Sequence, residues 1–128
     1  MPMDLLLDTH IFLWAVDNQP QLSEEARSMI TDSRNTVFVS AVTPWEISIK
    51  KAIGKLDTPW SDYFEVLRFY RFTPLHITSE HALMVENLPM YHKDPFDRIL
   101  IAQAQIEKLT IVTHDQNIKR YDVDVFDA

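Results

Sequence analysis

The chain has 128 residues, 46% hydrophobic and 24% charged, which suits one domain over residues 1–128 with a single core. It has no cysteine, which excludes disulfides, thiolate catalysis and cysteine-bound zinc, and its one glycine, Gly54, excludes a glycine-rich phosphate loop. A formal net charge of −7 argues against sequence-independent clamping of nucleic acid, which depends on Lys and Arg, and invites a basic protein partner. No run approaches the roughly 20 apolar residues of a membrane helix, and the N-terminus lacks a basic region followed by a long apolar one. A cytoplasmic chain with no membrane partner is the expectation.

Met3 to Leu7 is a short apolar run of buried-strand length, and Thr9 to Val16 follows as a short helix. Leu22, Ala26, Met29 and Ile30 recur at helical spacing behind Ser23, a favoured cap. Thr36 to Val39 is β-branched and aromatic, hence a strand. From Val42 to Leu56, the positions Trp45, Ile49, Ala52, Ile53 and Leu56 form one apolar helical face, ended near Gly54 and Asp57. Trp60 to Phe72 reads as an amphipathic aromatic helix. Phe72 to Ile77 reads as an edge strand, because Pro74 cannot donate to a ladder. Ser79 to Leu88 is helical and stops at Pro89. Asp94-Pro95-Phe96-Asp97 is a strong helix start, and that helix runs to about Lys108. Leu109 to Thr113 is a strand, Gln116 to Tyr121 a helical turn, and Val123 to Val125 a last strand. Strands alternating with helices imply an α/β domain, its mostly parallel central sheet flanked by helices on both faces.

Ligands of open α/β sheets bind beyond the carboxyl ends of the strands. Asp8 follows the first strand directly, Asp115 lies two residues past Thr113, Asp97 opens a helix, and Glu46 rides near the start of another. Each has a structural reading beside the functional one. Asp8 can cap the helix at Thr9, Asp97 can pair with Asp94 in a capping box, and Asp115 can cap its own turn. Glu46 can pair with Lys50 at i,i+4. Singly these readings win or draw. Together, four carboxylates on one rim make a cage for hard divalent cations, of the kind that cleaves phosphodiesters.

Four segments carry a family resemblance: Leu5–Trp14 (LLLDTHIFLW), Val39–Lys50 (VSAVTPWEISIK), His92–Ala104 (HKDPFDRILIAQA) and Ile111–Asp115 (IVTHD). In order and spacing they resemble the motifs of PIN-domain ribonucleases, and more narrowly the VapC-type toxins of bacterial toxin–antitoxin pairs. The resemblance covers nearly the whole chain and implies a PIN-like fold. By it, Asp8, Glu46, Asp97 and Asp115 match the acidic quartet that holds Mg²⁺ or Mn²⁺. Asp94 is a second-rank acid whose main role is capping. Thr9 and Thr113 match positions that reach the site by hydroxyl. Lys50 and Arg98 lie beside the motifs as candidates to steady the scissile phosphate, with a salt bridge the competing role for Lys50.

The implied chemistry is metal-dependent hydrolysis of RNA. A cation lowers the pKa of a water for in-line attack, and it, or a second ion about 3.5–4 Å away, stabilises the leaving oxygen. Asp8 and Asp97 are the expected direct ligands. Glu46 orients the water or holds the ion through water, and Asp115 completes the site or a second one. The resemblance also implies a small antitoxin partner and a homodimer.

Other groups are weaker signals. Five histidines show no pair at the spacing of a zinc helix, although His10, His92 and His114 flank the acidic motifs as candidates for RNA contact. Trp14 and Trp45 read as core. The aromatic stretch Trp60, Tyr63, Phe64, Phe69 and Tyr70 reads as core and subunit packing first, and as a partner groove second. A phosphatase of the haloacid-dehalogenase type needs a second acid two residues past Asp8, where His10 stands. A receiver domain needs an acid pair after the first strand and a mid-chain phosphoacceptor, and neither is apparent. The non-enzyme alternative is a catalytically silent PIN-like module that binds RNA or protein, and a metal titration separates it from the nuclease.

Overall fold

The computed structural model describes residues 2–128. Strand β1 (Asp4–Leu7) is the centre of the molecule because Leu5, Leu6 and Leu7 are all fully buried, so both of its faces are covered. Side chains alternate across a strand. Leu5 and Leu7 accordingly join one core layer with Ile11, Phe12, Ala26 and Leu67, while Leu6 joins another with Leu100, Ile101, Ile111 and Ile118. These layers are built by α1 (Thr9–Val16), α2 (Glu24–Thr31) and α4 (Tyr63–Tyr70) on one side, and by α5 (Ser79–Met84) and α6 (Pro95–Glu107) on the other. A run of three buried leucines is what a strand sandwiched by helices requires.

The remaining strands are β2 (Thr36–Ser40), β3 (Thr73–Leu75), β4 (Thr110–Thr113) and β5 (Asp124–Asp127). The sheet has five strands in the order β3-β2-β1-β4-β5, and every neighbouring pair is parallel. The chain builds outward from β1 through β2 to β3, then returns to β1's other side with β4. The order therefore reverses between β1 and β4, and a crevice opens beyond their carboxyl ends. Leu7 pairs with Val112 there, which sets Asp8 beside Thr113. Pro74 sits on the edge strand β3, as its missing N–H demands.

Helix α3 (Val42–Ala52) departs from the sequence reading. It ends four residues before Leu56, in a turn where Gly54 takes a positive φ of 73°. Its expected apolar face is turned outward. Trp45 is 54% exposed and Ile53 61% exposed, while Val42, Thr43, Glu46 and Ile47 are buried. Trp45 is thus not core, and it rests edge-on against Phe96 with ring centroids 5.1 Å apart. The reason lies in α3's polar residues: Thr43 and Glu46 point inward, so the apolar stripe one-third of a turn away must face solvent. Helix α4 is also shorter than Trp60 to Phe72, because Asp62 caps it by accepting from the Phe64 and Glu65 amides. Trp60, Tyr63 and Tyr70 pack on the core as expected, whereas Phe64 and Phe69 are exposed. Among the described residues, no helix is long and apolar enough to cross a membrane.

Candidate metal centre

Asp8 is placed by β1 and kept in place by α1. Its Oδ1 accepts from the Ile11 amide at 2.8 Å, so it is the N-cap of α1, and its Oδ2 accepts from the Thr113 hydroxyl on the neighbouring strand. The Thr113 hydroxyl in turn accepts from the Asp115 amide at 3.0 Å. Asp8 is thus the cap of α1 and is bonded to β4 at the same time, while it is not among the acids whose ligand atoms gather with His92. Burial pushes the Asp8 carboxyl up, opposed by the bonds from Thr113 and Ile11 and assisted by the negative charge of Asp115.

Asp97 occupies the first turn of α6. Asp94 caps that helix, accepting from the Phe96 amide at 2.8 Å and the Asp97 amide at 3.2 Å. Asp97 does not reach back to complete a capping box. Its Oδ2 instead meets His92 Nε2 at 2.8 Å, and the same nitrogen lies 3.3 Å from Asp115 Oδ2. Ligand atoms of His92, Asp97 and Asp115 all lie within 4.8 Å of one another. Burial first, then the adjacent charges of Asp94 and Asp8, push the Asp97 carboxyl up to about 7 against the opposing bond from His92. A carboxyl raised first by burial and then by neighbouring carboxylates is one whose charged form a positive partner would favour.

Glu46 is buried but is not a member of that group. Its Oε2 accepts from Lys50 Nζ at 2.7 Å, one turn along α3. The i,i+4 pair therefore exists, with its acid inside rather than on the surface, and Lys50 neutralises Glu46. The Thr9 hydroxyl bonds that of Thr43 at 3.2 Å and ties α1 to α3 instead of meeting a carboxylate. Helix α3 also touches α6 through Trp45 and Phe96, so Glu46 rides on a helix packed against both neighbours of the acidic crevice.

Arg98 departs from its expected place beside a phosphate. It is buried, and its guanidinium donates to the carbonyls of Val85, Leu88, Pro89 and His92 and to the Tyr121 hydroxyl. The Tyr121 hydroxyl donates to the Pro89 carbonyl at 2.6 Å and accepts from the His92 amide at 2.9 Å. Arg98 and Tyr121 thus clamp the loop that delivers His92 to the acids. The planar fork of Arg satisfies several carbonyls at once, which a lysine does not. Sequence reasoning weighed His92 only for RNA contact and missed it as the bridge between Asp97 and Asp115. Its signal was its place just before the Asp94 cap, on a loop that must turn back over the helix start.

The donor set fits a divalent cation: carboxylate oxygens in a partly buried crevice, with one imidazole. The N-termini of α1, α3 and α6 all open from the carboxyl-end side of the sheet, where their dipoles favour anions such as carboxylate or phosphate.

A pH dependence follows for the metal-free protein. The folded Asp97 carboxyl titrates at about 7, against 3.8 for an unperturbed one. Its contribution to stability is full below about pH 4 and is lost as the pH rises through about 7. In EDTA, the melting temperature is expected to fall between about pH 5 and pH 7.5, and Asp97→Asn to flatten that slope. A parent profile that is flat or rises over this interval would contradict the raised carboxyl.

The family pattern described as PIN domain matches residues 5–124. Among solved structures, the chain is similar to VapBC2 from Rickettsia felis bound to a promoter DNA fragment, with 17% identity, a TM-score of 0.69 and 98% of each chain covered. It is similar to DNA-bound VapBC from Salmonella typhimurium at 18% identity and TM-score 0.68, again over 98% of each chain. FitAcB from Neisseria gonorrhoeae gives 20% identity and TM-score 0.63 over 96% of each chain. No curated protein matches the chain at a significant level.

Proposed function

This chain belongs to the PIN domain family, and we propose on that footing that it is a metal-dependent endoribonuclease, the toxin of a toxin–antitoxin pair. The observation that carries the reading is the gathering of Asp97, Asp115 and His92 within 4.8 Å, electrostatically linked to buried Asp8, at the reversal point of the sheet. A Mg²⁺ or Mn²⁺ ion, when bound, supplies an acidified water and a positive charge against the phosphate. Asp8, Asp97 and Asp115 are the residues that hold it. Thr113 keeps Asp8 oriented through its hydroxyl. Glu46, with its charge balanced by Lys50, is the outer acid that orients the attacking water or holds the ion through water. Asp94 acts as a cap that fixes the first turn of α6 and so aims Asp97.

Single-stranded or looped RNA is the proposed substrate, since its splayed backbone can enter an open crevice. The partner is an antitoxin with basic and apolar groups, matching the net charge of −7 and the exposed apolar residues Trp45, Ile53, Phe64 and Phe69. A homodimer would cover part of the same surface. The similar solved structures are of VapBC2 and VapBC bound to DNA, which supports looking for a protein partner of this chain.

Expression of the chain alone is expected to arrest growth and to generate new RNA ends, located by sequencing. Co-expression of the antitoxin encoded beside it should suppress both. Arrest by an Asp97→Asn variant as strong as the parent's, without new RNA ends, would contradict the nuclease reading.

A further inference from the structure

His92 is the one nitrogen donor in the group whose ligand atoms gather within 4.8 Å, the others being the carboxylates of Asp97 and Asp115. We propose that His92 Nε2 is itself a ligand of the cation, and that this mixed nitrogen–oxygen set makes the site select Mn²⁺ over Mg²⁺. The inference rests on the reading that these acids hold a cation, and adds to it a ligand and a selectivity.

Geometry is the first support. Adjacent ligands on an octahedral ion bound at about 2.0–2.1 Å lie about 2.9 Å apart. Nε2 stands 2.8 Å from Asp97 Oδ2 and 3.3 Å from Asp115 Oδ2, which brackets that edge. The three atoms can become neighbours on one ion with small movements. The imidazole then takes the tautomer protonated on Nδ1, so that Nε2 presents its lone pair.

Rigidity is the second support. His92 is 15% exposed at its side chain, and its backbone is held on both sides. Its amide donates to the Tyr121 hydroxyl at 2.9 Å, and its carbonyl accepts from Arg98 at 3.1 Å. Arg98 also binds the carbonyls of Leu88 and Pro89, and of Val85 in the 3-10 turn just before them. A buried guanidinium committed to a loop of this kind fixes where the ring at its end stands. The fully buried histidine, His81, is committed to the capping box of α5 and to Glu107, with one acid in reach rather than two.

Selectivity follows from donor chemistry. Mg²⁺ binds oxygen, demands near-ideal octahedral geometry and dehydrates reluctantly. Imidazole is a borderline donor that suits first-row transition ions. Replacing one oxygen of an all-oxygen site by Nε2 therefore weakens Mg²⁺ relative to Mn²⁺.

The test uses the purified full chain, stripped of metal and titrated with Mn²⁺ or Mg²⁺ alone. Pulsed electron paramagnetic resonance of the bound Mn²⁺ should show coupling to an imidazole ¹⁴N in the parent, and that coupling should vanish in His92→Gln. The same substitution exchanges nitrogen for an amide oxygen, so Mn²⁺ affinity should fall about tenfold while Mg²⁺ affinity changes by less than about twofold. If Mn²⁺ binds, is lost in Asp97→Asn, and shows no imidazole coupling, or a coupling that survives His92→Gln, the histidine is not a ligand while the acidic site stands. If Mn²⁺ does not bind the parent at all, both the ligand and the metal site fall. A parent spectrum without imidazole coupling excludes the histidine whatever the folding of any variant, and a coupling that is present is assigned to His92 by its loss in His92→Gln.

Discussion

Asp97→Asn is expected to lower RNA cleavage by about a thousandfold or more, yet to leave the metal-free protein as stable as the parent or more so. Two opposed effects meet at this residue. As an acid in the first turn of α6, Asp97 gains about 0.3–1 kcal/mol from the helix dipole. As a half-buried carboxylate beside Asp94 and Asp8, it is disfavoured in its charged form, which is why its carboxyl rises to about 7. Asn keeps the volume and a hydrogen-bonding group toward His92 and removes the charge. Cation binding then separates the cases. The parent should gain about 2.7 kcal/mol when the ion stands at 100 times its dissociation constant, and the variant much less. Thermal melts of both proteins with and without Mn²⁺ make the comparison. If Asp97→Asn lowers stability equally in both conditions, Asp97 is a structural helix acid and the proposed centre loses its main ligand.

Asp8 gives the second large effect, and here two substitutions must be compared. Asp8→Asn keeps one acceptor oxygen for the Ile11 amide and turns an NH2 donor toward the Thr113 hydroxyl, so the cap of α1 survives and the bond to β4 persists only with its direction reversed. Asp8→Ala removes both acceptors and strands the buried Thr113 hydroxyl, at a cost of about 2–4 kcal/mol from the lost cap and the unsatisfied group. Both variants should be inactive toward RNA, by about a thousandfold or more. The informative result is Asp8→Asn, inactive but nearly as stable as the parent by urea denaturation. An Asp8→Asn variant that retained most of its activity would show that the cap is all Asp8 provides.

Much of the fold was legible because local signals agreed with one another. The three consecutive leucines before Asp8 are a doubly covered strand, Pro74 marks an edge, and Asp94-Pro95 starts a helix where caps and proline belong. The misreading of α3 has a single cause. Periodicity locates an apolar stripe on α3 but not the direction it faces, and the buried face is the one that carries Thr43, bonded to Thr9 of α1, and Glu46. Trp45 was consequently taken for core and is exposed.

The meeting of Asp97 and Asp115 was legible because one opens a helix and the other follows a strand, and a parallel sheet gathers such ends along one edge. Their individual bonding was not. Nothing in the spacing of Arg98 distinguishes a phosphate contact from a clamp on carbonyls 6 to 13 residues earlier. Likewise, His92 is joined to Asp115 only through the loop that Arg98 and Tyr121 hold. Glu46 shows the same limit: the sequence offered the Lys50 pair and the metal cage as alternatives, and the pair is made by a buried acid.

The central claim, a cation-dependent centre that cuts RNA, is tested most directly by one add-back measurement. The purified chain, free of any antitoxin, is incubated with a single-stranded RNA in excess EDTA, and Mn²⁺ or Mg²⁺ is then supplied above the chelator. The expected result is no cleavage in EDTA and full recovery on add-back in the parent, with none in Asp97→Asn. Ca²⁺ should restore little, because its larger and looser shell is a poor template for in-line attack. Cleavage that continues unchanged in EDTA, or that the Asp97→Asn variant carries out as well as the parent, would contradict the account.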